Sequence, residues 1–66
     1  MFYQKVTQYC NENGMSIHKF EQMCGLGNGV IDNWDPKKVH PDKPKVETLK
    51  KISQATGIPI EKWIND

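Results

Sequence analysis

Residues 16–34 have the sequence SIHKFEQMCGLGNGVIDNW, and this pattern predicts two short helices joined by a tight turn. Ser16 suits the first N-cap because its hydroxyl can accept a hydrogen bond from an unpaired amide of the first turn. Gly25 follows the last apolar position, where a left-handed backbone ends a helix at low cost. The apolar stripe of this first helix recurs at helical spacing: Ile17, Phe20 and Cys24.

The second half of the stretch predicts another helix, from about Asn28 to Trp34, after an apolar plug at Leu26. Pro36 biases Asp35 away from helical geometry and ends the element. The apolar positions are expected to enter the core: Val30, Ile31 and Trp34. The polar positions are expected to face solvent or a partner: Asn28, Asp32 and Asn33.

Three further helices are predicted outside this stretch. Helix one covers Phe2–Asn13, helix four covers Val46–Thr56 and ends at Gly57, and helix five covers Ile60–Asn65. Pro59 suits the first turn of that last helix. Helical spacing selects the side chains expected to be buried in helices one and four: Phe2, Val6, Tyr9, Cys10, Val46, Leu49, Ile52 and Ser53.

Residues 35–45, DPKKVHPDKPK, predict a loop because they hold three prolines and no apolar periodicity. Prolines reduce the conformational freedom of such a segment, so we expect an ordered arm, fixed to the core by Val39, with His40 at the surface. The net charge of the whole chain is only +1. Residues 35–51, however, contain six lysines and only three acidic residues, and the chain contains no arginine. This distribution fits an anionic partner better than the total charge does, and it fits a solvated loop without a partner equally well.

The arrangement of residues 16–34 resembles the helix-turn-helix of the phage lambda repressor/Cro-type (XRE-like) DNA-binding domains. The resemblance extends to residues 14–34, GMSIHKFEQMCGLGNGVIDNW, and 46–64, VETLKKISQATGIPIEKWI, which match the two halves of that family's five-helix domain. It implies a compact, all-α, five-helix domain over residues 1–66, with helices two and three as the helix-turn-helix. The positions that carry it are Phe20, Cys24, Gly25, Leu26, Ile31 and Trp34.

The resemblance also implies sequence-specific binding of double-stranded DNA by a small bacterial or phage transcriptional regulator, similar to repressor and Cro proteins, that binds an operator and either blocks or recruits transcription. In this motif the second helix, here about 28–34, enters the major groove while the first crosses the backbone. The base-contacting positions are then Gly27, Asn28, Gly29, Asp32 and Asn33. The phosphate-contacting positions are His18, Lys19, Lys37, Lys38 and Lys43. Glu21 stands where the family often has a small residue, so its carboxyl group is expected to reach solvent.

An asparagine amide can form two hydrogen bonds to adenine, and without arginine to bind guanine we expect a half-site rich in A·T pairs. A two-fold operator implies a weak homodimer, with Trp63 and Ile64 either at its contact or in the core of the monomer. The alternative function is a protein-interaction module on the same scaffold, such as an antitoxin, an antirepressor or a partner-binding regulator. The low net charge and Asp32 favour that alternative.

Enzymatic chemistry, a cofactor and a small-molecule substrate are not expected. Asp32 and Asp35 lie near a helix end in polar surroundings and lack the burial that paired catalytic carboxylates require. The GLGNG run, residues 25–29, lacks the strand before it and the Lys-Ser/Thr after it that a phosphate-binding loop has. Cys10 and Cys24 are expected to be buried, reduced thiols; a disulfide is the alternative, which a cytosolic setting disfavours. Their spacing to His18 and His40 does not suit zinc.

No apolar run approaches the length of a membrane span, and the first nine residues, MFYQKVTQY, lack the apolar block of a signal peptide. We therefore expect a cytoplasmic protein without a membrane partner.

Overall fold

Four α-helices and one turn of 3-10 helix form the regular structure in the computed structural model, which describes residues 2–41 and 43–65. The α-helices are α1 (Phe2–Glu12), α2 (Ile17–Cys24), α3 (Val46–Thr56) and α4 (Ile60–Ile64), and the 3-10 turn is Asp32–Trp34. Within the described ranges there is no strand. The all-helical fold class is therefore confirmed. The radius of gyration is 10.9 Å, close to the roughly 11 Å expected of a compact domain of this length.

Helix α2 begins and ends at the residues that the sequence predicts. The Ser16 hydroxyl accepts a hydrogen bond from the Lys19 amide at 3.1 Å, which satisfies one of the free donors of the first turn. Gly25 closes the helix in the left-handed region at φ 71°. Both caps depend on the chemistry of single residues, which explains why local sequence is sufficient to place this helix.

The bounds of the other predicted α-helices agree closely with the structure. Helix α3 has the predicted bounds, and Gly57 closes it at φ 74°. Helices α1 and α4 each end one residue before the predicted position. Helix α3 starts without a side-chain cap because Lys45, at the N-cap position, has no acceptor on its side chain.

The predicted helix over residues 28–34 is wrong in type. Residues 28–31 form turns and only Asp32–Trp34 are helical, as a 3-10 turn. Gly29 has φ 80°, which no right-handed helix accommodates. The following amides therefore bond mostly three residues back: Trp34 to the Ile31 carbonyl at 2.9 Å and Asp35 to the Asp32 carbonyl at 3.2 Å, the pattern of a 3-10 helix.

The core is made of aromatic and aliphatic side chains from every helical element. Phe20 is fully buried, and its ring lies 5.5 Å from the Tyr9 ring and 6.2 Å from the Trp63 ring, centroid to centroid. Trp63 therefore belongs to the core of the monomer, whereas Ile64 is 54% exposed. The other end of the core is closed by Phe2, whose ring meets that of Trp34 edge-on at 5.0 Å. The remaining buried apolar side chains are Val6, Cys10, Cys24, Ile31, Leu49 and Ile52.

Two valines that were predicted to contribute to the core do not. Val46 is 64% exposed and Val39 is 88% exposed. Val46 is the first residue of α3, and Val39 lies in the exposed part of the proline-rich loop. His40 is exposed, as predicted. None of the helices in the described ranges has both the length and the apolar character needed to span a membrane.

Val6 and Val46 provide a matched test of the core because both are helical valines with opposite exposure. Val6→Ala should lower the free energy of unfolding by about 2–3 kcal/mol, since it removes two buried methyl groups and leaves a cavity. Val46→Ala should change it by less than about 0.5 kcal/mol. Urea unfolding followed by circular dichroism measures both, and equal losses in the two variants would contradict this description of the core.

Candidate functional site

An exposed polar segment follows α2, and we call residues 27–33 the turn segment. Every residue predicted to contact bases lies in it and is exposed: Gly27, Asn28, Gly29, Asp32 and Asn33. The apolar residues of the same stretch turn inward, since Ile31 and the following Trp34 are buried and Val30 is half-buried. The predicted division into a polar and an apolar side is confirmed, although the backbone that produces it is not an α-helix.

Glu21 of α2 fixes the backbone at both ends of the five-residue stretch 27–31. Its backbone carbonyl accepts a hydrogen bond from the Leu26 amide at 2.8 Å. Its carboxyl Oε2 accepts one from the Ile31 amide at 3.0 Å. Glu21 is only 3% exposed, so the prediction that its carboxyl group reaches solvent is wrong. The physical reason is the buried Ile31 amide, which has no partner in its own turn and would otherwise remain unpaired.

No local sequence pattern identifies this contact, because the two residues are ten positions apart and belong to different elements. The one available signal is the glycine at position 29. A left-handed glycine interrupts the ladder of helical hydrogen bonds, and an amide released in a buried place requires an acceptor from elsewhere.

Two of the predicted DNA-contacting residues bind each other in this structure. The Lys38 Nζ lies 3.2 Å from the Asp32 Oδ2, and the two side chains are 45% and 65% exposed. An ion pair this exposed contributes little to stability. It joins the turn segment to the proline-rich loop, and each partner neutralises the charge of the other.

Asp35 shapes the start of the loop. Its Oδ1 accepts a hydrogen bond from the Lys37 amide at 2.9 Å, and its backbone carbonyl accepts one from the Lys38 amide at 3.0 Å. Partial burial raises the pKa of the Tyr3 hydroxyl, and the negative charges of Asp35 and Asp32 raise it further. The start of α1 therefore lies beside the acidic residues of this surface.

The remaining predicted phosphate-contacting residues are exposed on either side of the turn segment. His18 and Lys19 lie in the first turn of α2, before the segment. Lys37 and Lys43 lie in the loop that follows it. Lys43 also lines a shallow apolar groove with Phe2, Tyr3, Trp34 and three prolines. Cationic side chains thus flank the polar residues along the chain on both sides.

Cys10 and Cys24 are free, buried thiols, as predicted. Burial raises the pKa of Cys10, and it raises the pKa of Cys24 to about 11, with a further contribution from the neighbouring Cys10. Among the described residues, no three His, Cys, Asp or Glu side chains are grouped closely enough to hold a metal ion.

No protein-family model matches the chain, and no curated protein and no solved structure matches it.

The raised pKa of Cys24 predicts a pH dependence of stability. The ordinary thiol pKa is 9.0. Above that pH the unfolded chain releases a proton that the folded protein still holds, so the contribution of Cys24 is complete below pH 9.0 and is lost as the pH rises through about 11. The free energy of unfolding, measured with urea, should fall over this range more steeply in the wild type than in Cys24→Ala. Parallel pH profiles would show that the Cys24 thiol ionises equally in both states.

Proposed function

We propose that the chain is a small DNA-binding regulator that binds double-stranded DNA sequence-specifically through the turn segment. One observation carries this proposal: the segment presents Asn28, Asp32 and Asn33 to solvent from a backbone that Glu21 joins to α2 just before the segment, at Leu26, and within it, at Ile31. Side chains that discriminate bases must be held in register with the groove, and a fixed polar segment meets that requirement better than a free loop.

The proposed arrangement is a helix-turn-helix in which the turn segment, whose last residues belong to the 3-10 turn, takes the place of the second helix. Helix α2 crosses the DNA backbone and the segment enters the major groove, as in the lambda repressor/Cro-type domains that the sequence resembles. Asn28 and Asn33 bind adenine through their amides, and Asp32 accepts from the amino group of cytosine. Gly27 and Gly29 have no side chains and permit close approach of the backbone to the bases.

Phosphate contacts come from a histidine and a lysine before the segment and from lysines after it. His18 and Lys19 lie at the start of α2, and the lysines of the loop lie beyond Trp34. Lys38 is paired with Asp32 in the free protein, so a phosphate replaces Asp32 as its partner when DNA binds. This exchange releases the Asp32 carboxyl group to face a base at the same moment.

In the cell, such a domain binds an operator in the cytoplasm and regulates transcription without catalysing a reaction. The resemblance implies that the bound domain either blocks transcription by occupying the operator or recruits the transcription machinery to it. A two-fold operator is bound by two copies. Because Trp63 is buried in the core, the exposed Ile64 is the apolar residue of α4 that can form a weak contact between the two copies.

A protein-interaction module, such as an antitoxin, an antirepressor or a partner-binding regulator, is the second candidate function. The observation that favours it is the Asp32–Lys38 ion pair, which neutralises a cation where DNA requires one, in a chain of net charge +1. In that case the same exposed surface recognises a protein. Selection of bound sequences from random duplexes separates the two candidates, because only the first yields a consensus.

Asn33 tests base recognition. On the duplex selected by the wild type, Asn33→Ala should weaken binding by about 5- to 150-fold, the factor that corresponds to one good pair of hydrogen bonds to a base. On a scrambled duplex the affinity should barely change. Asn11→Ala is the matched control, since Asn11 is an exposed asparagine of α1, and it should behave as the wild type. Fluorescence anisotropy titrations provide the dissociation constants.

Equal losses on both duplexes would show that Asn33 does not read sequence. If neither duplex binds at all, the interaction module becomes the better proposal.

Lys38 tests phosphate contact. Lys38→Ala should weaken binding to every duplex alike, and the slope of log K against log salt should become shallower by about 1, because one fewer counterion is released. Lys62→Ala is the matched control, since Lys62 lies in a groove between α1 and α4, and it should leave the slope unchanged. The measurement is the same titration at four or more salt concentrations, and equal slopes for both variants and the wild type would exclude Lys38 from the interface.

A further inference from the structure

Glu21 has a local environment that sets it apart from the other acidic residues described. Its side chain is 3% exposed, and among the described residues no other polar or charged residue is buried. Burying a carboxyl group is costly unless hydrogen bonds compensate. The compensation here is the Ile31 amide at 3.0 Å, so the residue at position 21 is linked to one particular atom of the turn segment.

The Ile31 amide requires this acceptor because its own element provides none. Around it, the Val30 amide bonds to the Gly27 carbonyl at 3.4 Å and the Asn33 amide bonds to the Gly29 carbonyl at 3.3 Å. Ile31 is fully buried, which excludes water as a partner. The left-handed Gly29 separates Ile31 from the carbonyl that a continuous helix would offer.

Glu21 contacts the backbone at Leu26 and at Ile31, two points that bracket one of the residues proposed to read DNA and directly precede the other two. Its carbonyl holds Leu26, immediately before the turn segment, and its carboxyl group holds Ile31. Asn28 lies between these two points, and Asp32 and Asn33 follow the second one directly. A displacement of the Ile31 amide would therefore move all three polar side chains relative to α2.

We propose that Glu21 is the positioning residue of the DNA-reading surface: its carboxyl group holds the Ile31 amide and thereby keeps Asn28, Asp32 and Asn33 in register with the bases. This proposal rests on the proposed function. Glu21 itself touches no DNA, because it is buried. Its effect is on the discrimination between duplexes rather than on general affinity, which the exposed lysines control.

Two variants of similar size separate the acceptor from the packing. Glu21→Gln keeps a carbonyl oxygen at the same reach, whereas Glu21→Met keeps the volume but offers no comparable acceptor. In Glu21→Met the Ile31 amide should exchange its hydrogen about 5- to 150-fold faster, the factor that corresponds to the loss of one buried hydrogen bond. The Val6 and Ile52 amides should keep their protection. Glu21→Gln should retain the protection of Ile31.

The ratio of affinities for the selected and the scrambled duplex is the functional measurement. It should fall by about fivefold or more in Glu21→Met, as for the loss of a base contact, and stay within about twofold of the wild type in Glu21→Gln. Glu47→Ala removes one negative charge from the exposed part of α3 and controls for charge alone. It should alter both affinities together and leave the ratio unchanged.

The wild type could prefer the selected duplex, and Glu21→Met could keep the same affinity ratio even though its Ile31 amide exchanges faster. That result would overturn this proposal and leave the proposed function standing. A wild type that binds no duplex would overturn both. If Glu21→Met does not fold, Glu21→Asp is used instead. Its side chain is one methylene shorter, so its carboxyl group does not reach the Ile31 amide, and the chemical group is unchanged. The proposal is supported if the affinity ratio falls in Glu21→Asp but stays at the wild-type value in Glu21→Gln. It is contradicted if the two variants have the same ratio.

Discussion

The packing of Phe20 is the interaction on which the rest of the fold depends. This ring is fully buried in α2, edge-on to Tyr9 of α1 and to Trp63 of α4. A chain of 66 residues has little apolar surface to bury, so one cluster of rings that joins three helices accounts for much of its stability. Such ring pairs stabilise beyond the area that they bury. The α-helices around this cluster are short, and short helices are stable in water mainly through packing of this kind.

The surface formed by the turn segment and the proline-rich loop carries acidic as well as cationic side chains. Six lysines lie between Trp34 and Lys51, yet Lys38 is paired with Asp32, and Asp35 lies close enough to raise the pKa of Tyr3. Such a surface attracts an anionic polymer weakly and at short range, because exposed charges are screened beyond about 10 Å at an ionic strength of about 0.1 M. Under the proposed function, discrimination between duplexes would therefore depend more on the fixed placement of the asparagine amides than on the electrostatic field of the surface.

The sequence predicted the features that depend on single residues and their near neighbours. Ser16 and Gly25 set the limits of α2, and helical spacing identified Val6 and Ile52 as core residues. The path of residues 28–31 was not predictable in this way, because the left-handed state of Gly29 is one of several that glycine adopts equally well. The burial of Glu21 depends on that state, and the exposure of Val46 depends on where neighbouring helices end. The burial of Glu21 and the exposure of Val46 can therefore be determined only from the assembled fold.

The left-handed Gly29 also constrains how this chain can change during evolution. A side chain at position 29 would meet no neighbouring atom within 4 Å, so the site excludes other residues through backbone conformation and not through lack of space. A helix-favouring residue there would allow Ile31 to bond within its own helix, and the buried acid at position 21 would lose its partner. The two positions are therefore expected to be coupled: glycine at position 29 favours a hydrogen-bond acceptor at position 21, and a helical residue at position 29 favours an apolar residue at position 21. Homologous chains should change at both positions together, and intermediates that change only one should be rare.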